Sequence, residues 1–266
     1  MKGKSIVKKI IALALALILV ASCFAGCASK DNGSDLAAIQ KKGKLIVGIT
    51  DYEPMDYKDE NGEWTGFDAE LARLFAAELG VECEFFVLAD WGKKVFELDA
   101  KNIDCIWNGM TINDELKELT SVSDPYVINA QILVLDADDV DKYYDVETAK
   151  DLKIAVENGS VGQDAAVDAG FKNIIAVQDQ AAALMEVASG TSDACVIDIT
   201  MARAMTGEGT NYEDLALGFT LTSEEYGISF RKGSDVTAKL NEFLDKLKAD
   251  GTLQALADKY SLALAD

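Results

Sequence analysis

The sequence predicts a layered α/β protein, and three observations predict it. Short apolar or β-rich runs alternate with amphipathic stretches along the chain after its first 35 residues. Hydrophobic residues make up 49% of the 266 positions, enough for one large domain or two modest lobes with real cores. Neither a repeat of fixed period nor a low-complexity tract interrupts the alternation beyond an N-terminal apolar run.

The elements follow in order. "KLIVGIT" (44–50) reads as a short buried strand, and "FDAELARLFAAELG" (67–80) as an amphipathic helix closed by a C-terminal Gly. "VECEFFVL" (81–88) has β-rich composition and reads as a strand. A helix is expected from about Trp91 to Ala100, then the strand "IDCIW" (103–107). A second set begins after "SDPYVINAQILVL" (123–135). Its strands are "KIAVENGS" (153–160), which runs into a Gly-Ser turn, "NIIAV" (173–177) and "DACVIDI" (193–199), alternating with the helices "QDAAVDAG" (163–170) and "QAAALMEVASG" (180–190). "SEEYGISF" (223–230) is one more strand, and amphipathic helices fill 234–260. The acidic stretch "DADDVDKYYDVETAKD" (136–151) reads as a solvated surface connection.

Formal net charge is -21, from 46 acidic and 25 basic residues. The first 26 residues hold four lysines and no acid, which leaves -25 on the remainder. Such a surface repels phosphate backbones, so nucleic acid is excluded as a partner, and solubility is its ordinary purpose. Lys2, Lys4, Lys8 and Lys9 form a basic region ahead of the apolar run 10–20, which is too short to span a bilayer comfortably. This is the pattern of a bacterial export signal. Phe24-Ala25-Gly26-Cys27 and the polar "ASKDNGSD" then resemble the lipobox of bacterial lipoproteins. Val20-Ala21-Ser22-Cys23 also fits, and Cys27 is preferred because the polar tether begins there. A lipidated Cys27 would hold the chain outside the cell on a membrane face, with 1–26 as signal peptide and 27–35 as tether.

Cys83, Cys105 and Cys195 are odd in number and lie in apolar contexts, so they read as small buried core residues with no disulfide framework. Histidine is absent and no Cys pair has ligand spacing, so neither a metal nor a cofactor is expected.

Seven segments, taken in order, resemble the solute-binding proteins of the polar amino-acid uptake family, the extracytoplasmic components of ATP-binding-cassette importers. They are "VGITDYEPMDY", "GEWTGFDAELARLFAAELG", "IDCIWNGMTINDELK", "SDPYVINAQILVL", "DLKIAVENGSVG", "ALMEVASGTSDACVIDI" and "EYGISFRKGSD". The resemblance implies a two-lobed periplasmic-binding-protein-like type II α/β fold with two hinge strands, at 129–135 and 224–230. Lobe 1 is then 36–128 with 226–266, and lobe 2 is 129–225 including the hinge strands. It also implies a monomer that closes over a small solute and presents the closed form to a membrane permease.

The same resemblance proposes the ligand-binding residues. Asn108, Gly109 and Thr111 match a corner that cradles the solute, and Trp107 precedes it. Relatives place an arginine at the next position of that corner, where its fork grips the solute carboxylate; here that position is Leu116. The chain has three arginines, Arg73, Arg203 and Arg231; Arg203, which ends "VIDITMAR", a segment that lines the cleft in relatives, is the candidate replacement, and it suits a solvated helix position better still. Ser160, in the turn Asn158-Gly159-Ser160-Val161, matches a carboxylate-binding helix start, and equally suits a plain N-cap. Asp198 matches the carboxylate that receives the solute ammonium, and Tyr52 and Trp91 match aromatic walls. Asp51, Glu53 and Asp198 beside those rings suit a cationic or amine-bearing solute. Asn113 is expected to cap a helix whose first turn, Asp114 and Glu115, disfavours anions. No catalytic residue is assigned. An enzyme of dehydratase type would need an acid and a base in one cleft, such as Glu157 and Asp198, and a ligand sensor would share the importer's features.

Overall fold

The structure, a computed structural model, describes residues 33–266. The expected signal segment, Cys23 and Cys27 lie outside the described residues. Helix α1 (Asp35–Lys42) precedes β1 (Lys44–Ile49), and the hairpin β2 (Tyr57–Lys58) and β3 (Trp64–Thr65) leads into α2 (Phe67–Leu79). Phe67, Leu71, Phe75 and Leu79 recur at helical spacing and are all buried on one face of α2. Gly80 ends that helix in the left-handed region (φ 72°) and returns its N–H to the carbonyls of Ala76 and Ala77. Then come β4 (Glu82–Val87), a 3-10 turn at Trp91–Lys93, α3 (Lys94–Asp99), β5 (Cys105–Thr111), α4 (Asp114–Leu119), β6 (Thr120–Val122) and β7 (Val127–Asn129).

The next stretch runs through β8 (Gln131–Asp136), α5 (Val146–Ala149), β9 (Lys153–Glu157), α6 (Val161–Ala169), β10 (Asn173–Val177), α7 (Gln180–Ala188), β11 (Ala194–Asp198), α8 (Ile199–Met205) and β12 (Leu215–Thr220). The chain finishes with β13 (Glu224–Arg231), α9 (Val236–Asp250) and α10 (Thr252–Lys259). The fold is mixed α/β, with two lobes each built on its own sheet. One sheet has the order β4-β1-β5-β13-β6, with β7 also on β13, and the other the order β10-β9-β11-β8-β12. The chain leaves the first sheet at Asn129 and enters the second at Gln131; it returns between Thr220 and Glu224. Glu224 pairs with Asn129, so the two crossings lie side by side.

Elements beyond the expectations of the sequence include α1, the β2–β3 hairpin, β6, α8 and β12. Strand β12 is an addition, because "LALGFT" offers an edge strand with little buried apolar surface. The acidic stretch holds a 3-10 turn at Ala137–Asp139 and the short helix α5, which Asp145 starts with a capping box to Thr148. Cys105 and Cys195 are buried as expected, whereas Cys83 is partly exposed on β4. Among the described residues no helix is long and apolar enough to cross a membrane.

Candidate functional site

A cavity of about 350 Å³ lies at the C-terminal ends of the parallel strands of both sheets. This is where an α/β sheet presents loop residues and unpaired strand ends to a ligand. From the first sheet it receives Asp51 and Tyr52 after β1, and Gly109 and Thr111 from β5. From the second it receives Glu157 at the end of β9 and Asp198 at the end of β11.

Asp198 is the chemical centre of the cavity. It is 4% exposed, and its Oδ1 accepts from Gln131 Nε2 at 2.7 Å and from Asn129 Nδ2. Its Oδ2 accepts from Gln180 Nε2, while its own N–H donates to Gln180 Oε1 at 2.9 Å. Neutral amides thus surround a carboxylate that has no salt bridge among the described residues. Burial first, and then the charge of Glu224, pushes its carboxyl up to about 7. Glu157, also buried, is pushed up to about 8 by burial and then by Asp198, and its Oε1 has no hydrogen-bond partner among the described residues.

The expected residues divide into two groups. Asp51, Tyr52, Trp91, Asn108, Gly109, Thr111, Ser160 and Asp198 all line this one cavity. Tyr52 is a pillar as much as a wall: its Oη bonds Thr200 Oγ1 beyond β11 and Tyr226 Oη of β13, the latter at 2.5 Å. The Tyr52 ring also explains Gly109, which has φ 55° and whose Cβ, if present, would strike that ring. Asn108 turns its amide inward, onto Thr50 and Asp56. Thr111 Oγ1 donates to Glu224 Oε1 at 2.7 Å, and Ser160 Oγ accepts from Gln163 N as the N-cap of α6.

Trp107 and Arg203 are not brought there. Side chains alternate along β5, and Trp107 falls on the face covered by α2, fully buried with its ring centroid 6.1 Å from that of Phe75. Arg203 stands five residues into α8, beyond the turn that adjoins Asp198. It is exposed and lines a separate groove of about 270 Å³ with Glu53, Tyr57, Lys259 and Tyr260. Leu116 lines the cavity and packs with Trp91 and Leu98 in an apolar cluster, and Asn113 caps α4 through its side chain on Leu116 N at 2.8 Å.

Sequence reasoning misses Lys94, Gln131 and Gln180. Lys94 is the sole lysine or arginine lining the cavity among the described residues. Its Nζ sits 4.7 Å from the Trp91 ring centroid and donates across the cleft to Gly159 O at 3.2 Å. The signal that points to it is its spacing of three from Trp91, which places both on one side of the short helical stretch.

Residues 45–263 match the family of bacterial extracellular solute-binding proteins, family 3. The chain belongs to that family. The arginine-binding extracellular protein ArtP of Bacillus subtilis is 31% identical over 264 residues, spanning 92% of this chain and 96% of that protein. Among solved structures, the ancestral amino acid-binding protein AncCDT-1, a precursor of cyclohexadienyl dehydratase, superposes with a TM-score of 0.78 at 34% identity, covering 85% of this chain and 99% of the other. An amino acid ABC transporter substrate-binding protein from Streptococcus pneumoniae bound to L-arginine gives 0.78 at 26% identity, covering 87% and 100%. The protein is accordingly an extracellular solute-binding subunit.

Proposed function

We propose that the chain captures a small amine-bearing amino acid, one with a cationic side chain, and delivers it to an ABC permease. The observation that carries this reading is Asp198: a buried carboxylate in the cavity, hydrogen-bonded by three neutral amides and salt-bridged to no side chain among the described residues. An ammonium group entering the cavity supplies the positive charge that burial otherwise makes costly. Asp51, Glu115 and Asp164 at the cavity edge favour a second positive charge. The relatives named for arginine are consistent with that class.

The test is a thermal-shift screen of the chain from Ala28 onward against amino acids, polyamines and quaternary amines, followed by calorimetry. A true ligand at a hundred times its dissociation constant adds about 2.7 kcal/mol of stability. Stabilisation by acidic or purely apolar amino acids alone would sink the cationic assignment. The same proposal includes a lipid anchor on Cys27 at the outer membrane face and a monomeric protein. Mass spectrometry of the mature N-terminus and a sedimentation measurement decide these two points.

A dehydratase reading asks Glu157 and Asp198 to act as acid and base. Both line the cavity, but the relatives named for this family are binding proteins. We therefore assign binding and no turnover, and product formation from a prephenate-like substrate would reverse the assignment.

A further inference from the structure

An amino acid held through its ammonium at Asp198 still needs a partner for its carboxylate. We propose that Lys94 receives the carboxylate of the bound amino acid, in place of the arginine that the family resemblance expects at Leu116; this assignment rests on the amine-binding role of Asp198. Lys94 lines the same cavity as Leu116 and Asp198. Two of its contacts are backbone carbonyls, Gly159 O at 3.2 Å and Trp91 O at 3.4 Å, which solvate the ammonium without neutralising it. It takes part in no salt bridge among the described residues, although Glu157, Glu115, Asp164 and Asp90 act on it at longer range and oppose the effect of burial.

The surroundings suit an anion at that point. Gly159, the acceptor of Lys94, opens the turn into α6, whose first N–H groups have no partner within the helix. Glu157 is the strongest influence on Lys94 after burial, and its raised protonation range keeps it largely neutral near pH 7, so it does not cancel the lysine there. An amino acid would then lie with its carboxylate at Lys94 and its ammonium at Asp198. Lys94 belongs to α3 of one lobe and Gly159 to the other, so the carboxylate binds where the lobes meet.

Calorimetry on matched pairs tests this: L-arginine with agmatine, L-lysine with cadaverine, and L-glutamine with 4-aminobutanamide, each amine lacking only the carboxylate. The wild-type chain is expected to favour the amino acid of a bound pair by at least tenfold. Lys94→Met should erase that preference while leaving amine affinity within threefold, and Lys94→Arg should retain it. Equal affinity for both members of a pair in the wild-type chain, or equal loss of both in Lys94→Met, overturns the role of Lys94. If only the glutamine pair binds, the cationic assignment falls and Lys94 is judged on that pair. Binding of no pair overturns both.

Discussion

Two aspartates of this chain are equally buried and are treated in opposite ways. Asp104 and Asp198 are each 4% exposed. Asp104, at the start of β5, meets Lys42 Nζ at 2.5 Å, Arg231 at 3.5 Å and the Ile46 N–H at 2.8 Å. Arg231 in turn pairs with Asp35 at 3.1 Å and donates to the carbonyls of Leu98 and Ile103. Asp198 has hydrogen bonds from amides and no salt bridge among the described residues. The chain gives charged partners to the acid that holds a lobe together and only amides to the acid in the cavity, which on the proposed reading awaits an ammonium. Burial alone does not separate a structural carboxylate from a ligand-binding one; the charge of its partners does.

The largest effects should fall on that contrast. Arg231→Ala strips charge partners from two acids and should cost about 3–5 kcal/mol of stability, the range for breaking a buried pair. For a domain of this size that is a fall in melting temperature of about 10 °C, read by differential scanning calorimetry. Affinity in the fraction that stays folded should be unchanged. Asp198→Asn should do the reverse: a smaller loss of ligand-free stability, about 1–2 kcal/mol, because its oxygen keeps the bonds from Asn129 and Gln131 while its amide nitrogen faces the Gln180 donor, and a loss of amine affinity of about 100- to 1000-fold. If the two variants exchange these phenotypes, the contrast is wrong.

A smaller effect comes from protons. Asp198 and Glu157 titrate near 7 and 8 in the folded chain, above their ordinary carboxylate values of 3.8 and 4.5. The folded state therefore holds protons that the unfolded state releases. Their contribution to ligand-free stability is complete below about pH 4 and is lost as pH rises through 7 and 8. The melting temperature without ligand should drift downward from pH 6 to 8, and Asp198→Asn should flatten part of that drift. Amine binding favours the charged form of Asp198, so it should release protons and tighten as pH rises through 7. Calorimetry in buffers of different ionisation enthalpy counts the protons, and uptake in place of release contradicts the argument.

How legible the fold and the cavity are depends on the kind of residue. Strands β1, β5, β9 and β11, which carry the cavity, stand out in the sequence as apolar runs ended by turn chemistry. Edge strand β12 does not, because tertiary pairing with β8 decides it more than its own pattern. Asp198 and Gly109 reach the cavity that the resemblance implies for them, an acid at a strand end and a glycine in the corner after Trp107 being visible as residue types in the sequence. Trp107 is misjudged because it stands before the corner of β5, still within the core beneath α2, and Lys94 is overlooked because a lysine pair at a helix start reads as solvated surface. Sequence exposes residue types well and directions poorly.

Arg203 is the sharpest example of direction, and it gives the smallest expected effect. The sequence makes it the candidate substitute for the clamp that Leu116 cannot provide, being one of only three arginines and five residues beyond Asp198. On α8 those five residues advance the chain by about 7.5 Å and turn it by well over a full circle, so nearness in sequence does not become nearness in the cavity. Its guanidinium is exposed in the groove beside Lys259 and Tyr260. Arg203→Ala should therefore change amino-acid affinity by less than twofold and stability by no more than about 0.5 kcal/mol, the ordinary range for a surface position. A tenfold loss of affinity for the amino acid, with its amine counterpart unaffected, would return the clamp to Arg203 and take it from Lys94.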